Sequence, residues 1–193
     1  MTWLLCDYGE VLSQAQPAGE RAALVAASGL GELDFWRTYW AHRPAYDRAD
    51  ISAGDYWAAV LGRSAAPPQV HDLTALDVAS WLHANPAAVD SATRAGRRGY
   101  RLAILSNAPV EVAHAIDRAP WLAGFEPRVF SCRLRLSKPD PAVYHKILDH
   151  LAAPPEEIVF FDDRAENVVA AGAVGIRAHL FTDAFQLDDL PPV

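Results

Sequence analysis

Short unbroken apolar runs punctuate this chain, and each stops at a polar residue. Trp3-Leu4-Leu5-Cys6 runs into Asp7, Leu102-Ala103-Ile104-Leu105 into Ser106-Asn107, and Ile158-Val159-Phe160-Phe161 into Asp162-Asp163. Continuous apolar runs of this length read as parallel strands buried on both faces. Between and after them lie stretches of helical period, so from Ala88 onward helix and strand alternate four times. Val89 to Gly99 reads as the helix before the Ser106 strand, Arg128 to Ser131 as a short strand ahead of Lys138, Ala142 to Leu151 as a helix, and Ala178 to Phe181 as the last strand. Such alternation implies right-handed crossovers and a parallel, Rossmann-like sheet with helices on both sides, an α/β fold.

The segment from about Ser13 to Ala88 has a different rhythm. Phe35, Trp36, Tyr39 and Trp40 recur at offsets of three and four, as do Tyr56, Trp57, Val60 and Leu61, the spacing of amphipathic helices. Asp50-Ile51-Ser52-Ala53-Gly54-Asp55 between them has the composition of a turn with a helix cap. The expectation is a small helical bundle over 15–88, closed by Asn85-Pro86 and inserted into an α/β core formed by 1–14 and 89–193. Its aromatics, among them Trp36, Trp40, Trp57 and Trp81, are expected to form its core, because so small an insert needs large side chains to be stable. Arg37, His42, Arg43, Tyr46 and Arg48 are the polar neighbours expected to face a crevice. The last ten residues, which include Pro191-Pro192, are expected to pack loosely.

Composition narrows the function classes. The chain has 193 residues, is 51% hydrophobic and carries a formal charge of −7, enough for one sizeable core. It has no Lys/Arg block, which argues against a nucleic-acid partner, since phosphate backbones are held through accumulated positive charge. The apolar start is cut short by Asp7 and lacks a basic region, and no apolar stretch is of membrane length, so secretion and membrane spanning are not expected. Two cysteines, Cys6 and Cys132, are too few for a disulfide framework or a zinc site, and a cytoplasmic protein is the expectation.

The polar residues that end the apolar runs are of a kind that handles phosphate. In open α/β sheets ligands gather at the carboxyl ends of the strands, so one crevice can hold Asp7, Ser106-Asn107 and Asp162-Asp163 together. Lys138, in Ser137-Lys138-Pro139-Asp140-Pro141, adds a positive charge. Ser106 and the backbone N–H groups of Asn107 and Ala108, at a strand-to-helix turn, can donate to an anion.

This set, from Asp7 to Phe181 and including the spacing Asp162-Asp163-x-x-x-Asn167, resembles the haloacid dehalogenase superfamily, whose members are mostly Mg²⁺-dependent phosphatases. The resemblance implies that Asp7 is the nucleophile and forms an aspartyl-phosphate. It implies that Ser106 and Asn107 bind phosphate and that Lys138 neutralises it. Mg²⁺ would be held by Asp7, the Gly9 carbonyl and Asp163, with Asp162 and Asn167 orienting metal-bound water and the Lys138 ammonium. The helical insert corresponds to the family's cap, which chooses the substrate. The function implied is hydrolysis of a small phosphorylated metabolite such as a sugar phosphate. One element departs from the pattern: Asp7-Tyr8-Gly9-Glu10-Val11-Leu12 places Gly9 where the family's general acid, a second Asp, stands. Glu10 is a candidate replacement, one position beyond. Two alternatives stay open at this point, 2-haloacid dehalogenation by the same Asp and a binding or regulatory protein that has lost turnover with its acid.

Overall fold

The computed structural model describes residues 2–193. Five strands, β1 (Trp3–Cys6), β2 (Arg101–Ser106), β3 (Phe125–Phe130), β4 (Ile158–Asp162) and β5 (Arg177–Leu180), form one sheet in the order β3-β2-β1-β4-β5. Every pairing is parallel. Helices α5 (Pro86–Arg97) and α6 (Val110–Asp117) cover one face, and α8 (Pro141–Leu151) and α9 (Ala165–Ala173) the other, with a short α7 (Ser131–Leu134) after β3. The alternation of side chains along a strand explains why β1 is apolar throughout. Leu4 and Cys6 pack toward α5 and α6, whereas Trp3 and Leu5 pack toward α8 and Phe160.

Between β1 and α5 stand four helices, α1 (Ala18–Ser28), α2 (Glu32–Asp47), α3 (Ala53–Leu61) and α4 (Pro67–Ser80). Local signals start and stop them. Ser52 and Asp55 make a reciprocal capping box for α3, and Gly29 and Gly62 end α1 and α3 in the left-handed conformation at φ 73° and 65°. The four helices enclose their own apolar cluster, with Phe35, Tyr39, Tyr56, Trp57 and Leu73 fully buried. Trp40 departs from this pattern and is half exposed. The two connections to the sheet run side by side, joined by the Ser13–Ala84 bridge and by Gln14 N–H to His83 O at 2.7 Å and Asn85 N–H to Leu12 O at 2.8 Å.

The structure moves three boundaries and changes one expectation. Helix α5 begins at Pro86, capped by the Asn85 side chain, so Ala88 and Val89 already lie in the core of the sheet domain. β3 starts at Phe125 and β5 spans Arg177–Leu180. The C-terminal residues are not loose. A final helix, α10 (Phe185–Asp188), seats Leu187 in the core, and Arg94 of α5 grips Asp188 at 2.7 and 2.9 Å. Beyond it the Tyr100 hydroxyl donates to Pro191 O at 2.9 Å. One apolar anchor beside one bidentate ion pair is enough to hold the end of the chain. Among the described residues no helix is long and apolar enough to cross a membrane.

Candidate active site

Register brings the strand ends together. Cys6 of the central strand lies opposite Phe161 on one side and Ile104 on the other, so Asp7 and Asp162, which follow directly, and Ser106, one residue further on, emerge at the same edge. Asp7 keeps its N–H on Phe161 O at 2.9 Å, and its Oδ1 accepts the Tyr8 N–H at 2.7 Å. The chain then turns sharply through Tyr8–Leu12, closed by Ser13 N–H to Tyr8 O at 2.8 Å. Glu10 sits there at φ 56°, a left-handed conformation uncommon for a residue with a side chain.

Lys138 is buried between two carboxylates, with Nζ 2.8 Å from Asp7 Oδ1 and 2.6 Å from Asp162 Oδ2. The other oxygen of Asp162 accepts from Asn167 Nδ2 at 2.8 Å and from the Arg164 N–H at 2.9 Å. Asp162 is therefore saturated by Lys138, Asn167 and the backbone. Asp163, partly buried, completes a group of three: one oxygen from each of Asp7, Asp162 and Asp163 lies within 4.8 Å of the others. Among the described residues none donates a hydrogen bond to the Asp163 carboxylate.

Electrostatics follow from this crowding. Burial pushes the Asp7 carboxyl up to about 6, opposed by Lys138 and assisted by Asp162. Burial and then the charges of Asp7, Asp162 and Glu10 push Asp163 up to about 7. Burial works against the Lys138 charge, yet Asp7 and Asp162 together hold its proton more tightly than usual. A single ammonium thus faces three carboxylates.

The turn after β2 is arranged differently from expectation. Ser106 is buried at its end. The Asn107 side chain clasps the Lys138 backbone reciprocally, Nδ2 to O and Oδ1 from N–H, both at 2.9 Å, so what Asn107 can offer an anion is its backbone N–H. The Ala108 N–H, read from the sequence as an anion donor, is committed to Ser131 Oγ at 3.0 Å. Ser131 lies 23 residues along the chain, and a lone Ser after a strand carries no local signal of that contact.

The helical insert meets the loop after Asp7 through Trp81. The Tyr8 hydroxyl donates to Trp81 O at 2.7 Å, and a Cβ added to Gly9 would lie 3.6 Å from the six-membered ring of that indole. Arg43, expected to face the crevice, is instead buried inside the insert, with Nε on Asp47 at 2.7 Å and Nη1 on Asp77 at 3.0 Å. Its partner at i+4 was visible in the sequence, but Asp77 comes from another helix. Tyr46 is also buried, stacked on Tyr56 at 4.3 Å with its hydroxyl on Glu111 of α6 at 2.8 Å. Arg37 is solvated beside Asp34, and Arg48 pairs with Asp50.

Comparison with known proteins agrees with this geometry. The haloacid dehalogenase-like hydrolase family matches residues 7–175. A phosphorylated carbohydrates phosphatase of Thermotoga maritima is 28% identical over 110 residues, 56% of this chain and 51% of that protein. A phosphatase of Mycobacterium tuberculosis is 30% identical over 120 residues, 61% and 55% of the two chains. An (S)-2-haloacid dehalogenase of Pseudomonas sp. is 34% identical over 103 residues, 53% and 45%. The matches span about half the length of these curated relatives, and less of the bifunctional epoxide hydrolase 2 of Sus scrofa, of which 17% is covered. Among solved structures, the magnesium complex of a HAD family enzyme from Bacteroides thetaiotaomicron superposes with a TM-score of 0.78 at 17% identity, covering 98% of this chain and 99% of that one. With Asp7, Ser106, Lys138 and the Asp162-Asp163 pair gathered at the strand ends and the family match running through all of them, the chain belongs to the haloacid dehalogenase-like hydrolases.

Proposed function

We propose that the protein is a Mg²⁺-dependent phosphatase of a small phosphorylated metabolite, acting through an aspartyl-phosphate on Asp7. The observation that carries this reading is the charge imbalance at the strand ends. Asp7, Asp162 and Asp163 converge within 4.8 Å, and Lys138 is the ammonium set among them. Carboxylate oxygens alone suit a hard cation, and the raised affinity of Asp7 and Asp163 for protons marks negative charge awaiting one. Asp7, the Gly9 carbonyl and Asp163 would hold Mg²⁺, whose contribution when bound is to neutralise carboxylate and phosphate oxygens together.

The protein's own groups account for the remaining steps. Lys138 and the Tyr8 N–H fix one oxygen of Asp7, which orients the carboxylate for in-line attack on phosphorus as the ester oxygen departs. Ser106 and the Asn107 N–H donate to the equatorial oxygens, and the Lys138 ammonium balances their charge. Asn167 and the Arg164 N–H hold Asp162 in the orientation that keeps Lys138 in place. Water then hydrolyses the acyl phosphate and restores Asp7. The insert over 15–88 acts as the cap that selects the substrate.

Two of the relatives are named as phosphatases, and the Bacteroides enzyme has also been captured with magnesium and inorganic phosphate. The dehalogenase relatives favour a second reading, displacement of halide by Asp7. That chemistry uses no metal in the family, and it gives no role to the unpaired Asp163. Phosphate release from acetyl phosphate and p-nitrophenyl phosphate, measured with Mg²⁺ and with excess chelator, tests the proposal beside chloride release from 2-chloropropionate. Asp163→Ala is expected to lose most of the Mg²⁺ activation while remaining folded. Phosphate turnover undiminished in chelator would remove the metal from the site, and chloride release without phosphate release would establish the second reading.

A further inference from the structure

Residues 46 and 47, consecutive at the end of α2, hold the far side of the phosphate turn. The Tyr46 hydroxyl reaches Glu111 in the first turn of α6 at 2.8 Å. The Asp47 carbonyl accepts the Ser131 hydroxyl at 2.6 Å, and that same hydroxyl oxygen accepts the Ala108 N–H at 3.0 Å. Ser131, Asp47 and Ala108 are all buried. A serine hydroxyl has one proton and two lone pairs, and here the proton is spent on the insert and a lone pair on the core. Asp47 C=O is one of the terminal carbonyls a helix leaves without an internal partner, so Ser131 caps α2 from across the domain boundary.

The segment 108–111 is thus gripped at both ends by one helix end of the insert. On its near side Asn107 binds the backbone of Lys138, which in turn touches Asp7 and Asp162. Each link is a hydrogen bond or ion pair between named groups, and together they join α2 to the nucleophile. The helix end itself is stiff: the Asp47 carboxylate is locked by Arg43, and Tyr46 is stacked on Tyr56.

We propose that Ser131, with Tyr46, is a positioning residue: it sets the shape of the Ser106-Asn107-Ala108 turn only while the helical insert is docked. This rests on the reading of that turn as the phosphate site. The insert then contributes to phosphate affinity without touching phosphate, by fixing the Ala108 end of the turn and, through it, keeping the Asn107 amide and Lys138 in register.

The test uses Ser131→Ala, Tyr46→Phe and, as a control destabilised within the insert core, Val60→Ala. Two quantities are read at temperatures well below each variant's Tm: affinity for inorganic phosphate by calorimetry with Mg²⁺ present, and amide hydrogen exchange across 106–111. Ser131→Ala orphans a buried N–H and a buried C=O and is expected to weaken phosphate binding by roughly tenfold, the scale of one lost buried hydrogen bond. With acetyl phosphate the loss should appear in KM more than in kcat. Tyr46→Phe should weaken phosphate binding by a smaller factor, and both variants should speed exchange at 106–111. Val60→Ala should change neither. Unchanged exchange in both Ser131→Ala and Tyr46→Phe overturns the proposal, as does an equal loss of phosphate affinity in Val60→Ala. Wild-type protein that binds no phosphate, with exchange at 106–111 still responding to Tyr46→Phe, removes the functional reading and leaves the coupling standing.

Discussion

The molecule buries charge in two places and treats it differently. In the insert, Arg43 spreads its planar fork over Asp47 and Asp77, while the Tyr39 hydroxyl also donates to Asp77. Burial raises the Asp47 carboxyl despite Arg43, and the guanidinium holds its proton more tightly than usual although burial opposes it. Every charged group there has a partner inside the insert. In the crevice a compact ammonium is shared between Asp7 and Asp162, and Asp163 has no donor among the described residues. The lesson is that burial alone does not mark a functional charge. A network that saturates its own hydrogen bonds specifies packing, whereas one left with surplus charge of one sign is built for something that arrives.

The largest effect should come from Asp7, the proposed nucleophile. Asp7→Asn keeps the side-chain shape but loses both its charge and its attacking oxygen, so phosphate release should fall by at least about 10³-fold with little change in Tm. Near-normal release from a folded Asp7→Asn protein would break the assignment of the crevice as the reacting site.

The two networks should separate next. Arg43→Ala strands Asp47 and Asp77 in the insert, and removing one partner of a buried pair costs about 3–5 kcal/mol. For a chain of this size that is a drop of roughly 6–20 °C in Tm. The increment in Tm produced by Mg²⁺ should be the same as in wild type. Lys138→Ala should cost more in turnover than in stability, and its Mg²⁺ increment should exceed that of wild type, because the charge that partly neutralises Asp7 and Asp162 is gone. Equal Mg²⁺ increments in the two variants would erase the contrast between a structural and a ligand-seeking network.

A smaller effect concerns pH. Asp163 and Asp7 bind protons more readily folded than unfolded, with folded values of about 7 and about 6. Between the unfolded carboxylate range near 4 and those values the native state holds extra protons, so stability falls as pH rises. Metal-free protein should therefore lose a few degrees in Tm between pH 5 and pH 8, and Mg²⁺ should flatten the curve. A metal-free Tm that rises over that interval would contradict the surplus of negative charge.

The smallest expected change sharpens the role of Gly9. Its Cβ position faces the Trp81 ring, and Glu10 is solvent-exposed on a left-handed turn. A general acid is worth about 10²–10⁴ in rate, and without one the rate should depend steeply on leaving-group pKa, with aryl and acyl phosphates ahead of simple alkyl esters. Glu10→Gln should then alter the rate by less than about tenfold. A flat series in wild type that turns steep in Glu10→Gln would make Glu10 the acid.

The sheet and the gathering of polar residues at one of its edges were legible because they depend on local pattern. Apolar runs buried on both faces announce parallel strands, and the register of neighbouring strands then brings their terminal polar residues to one edge whatever the loops do. Capping chemistry at Ser52-Asp55 was legible for the same reason, since its partners lie within a turn of the chain. What only the tertiary structure decided are contacts whose halves are far apart in sequence and individually ordinary: Asp77 beneath Arg43, Pro191 on Tyr100, Ser131 between Asp47 and Ala108. No periodicity encodes which Asp meets which Arg. A buried polar group must find a partner, and which partner it finds is set by how helices already fixed by their apolar faces come to rest on one another.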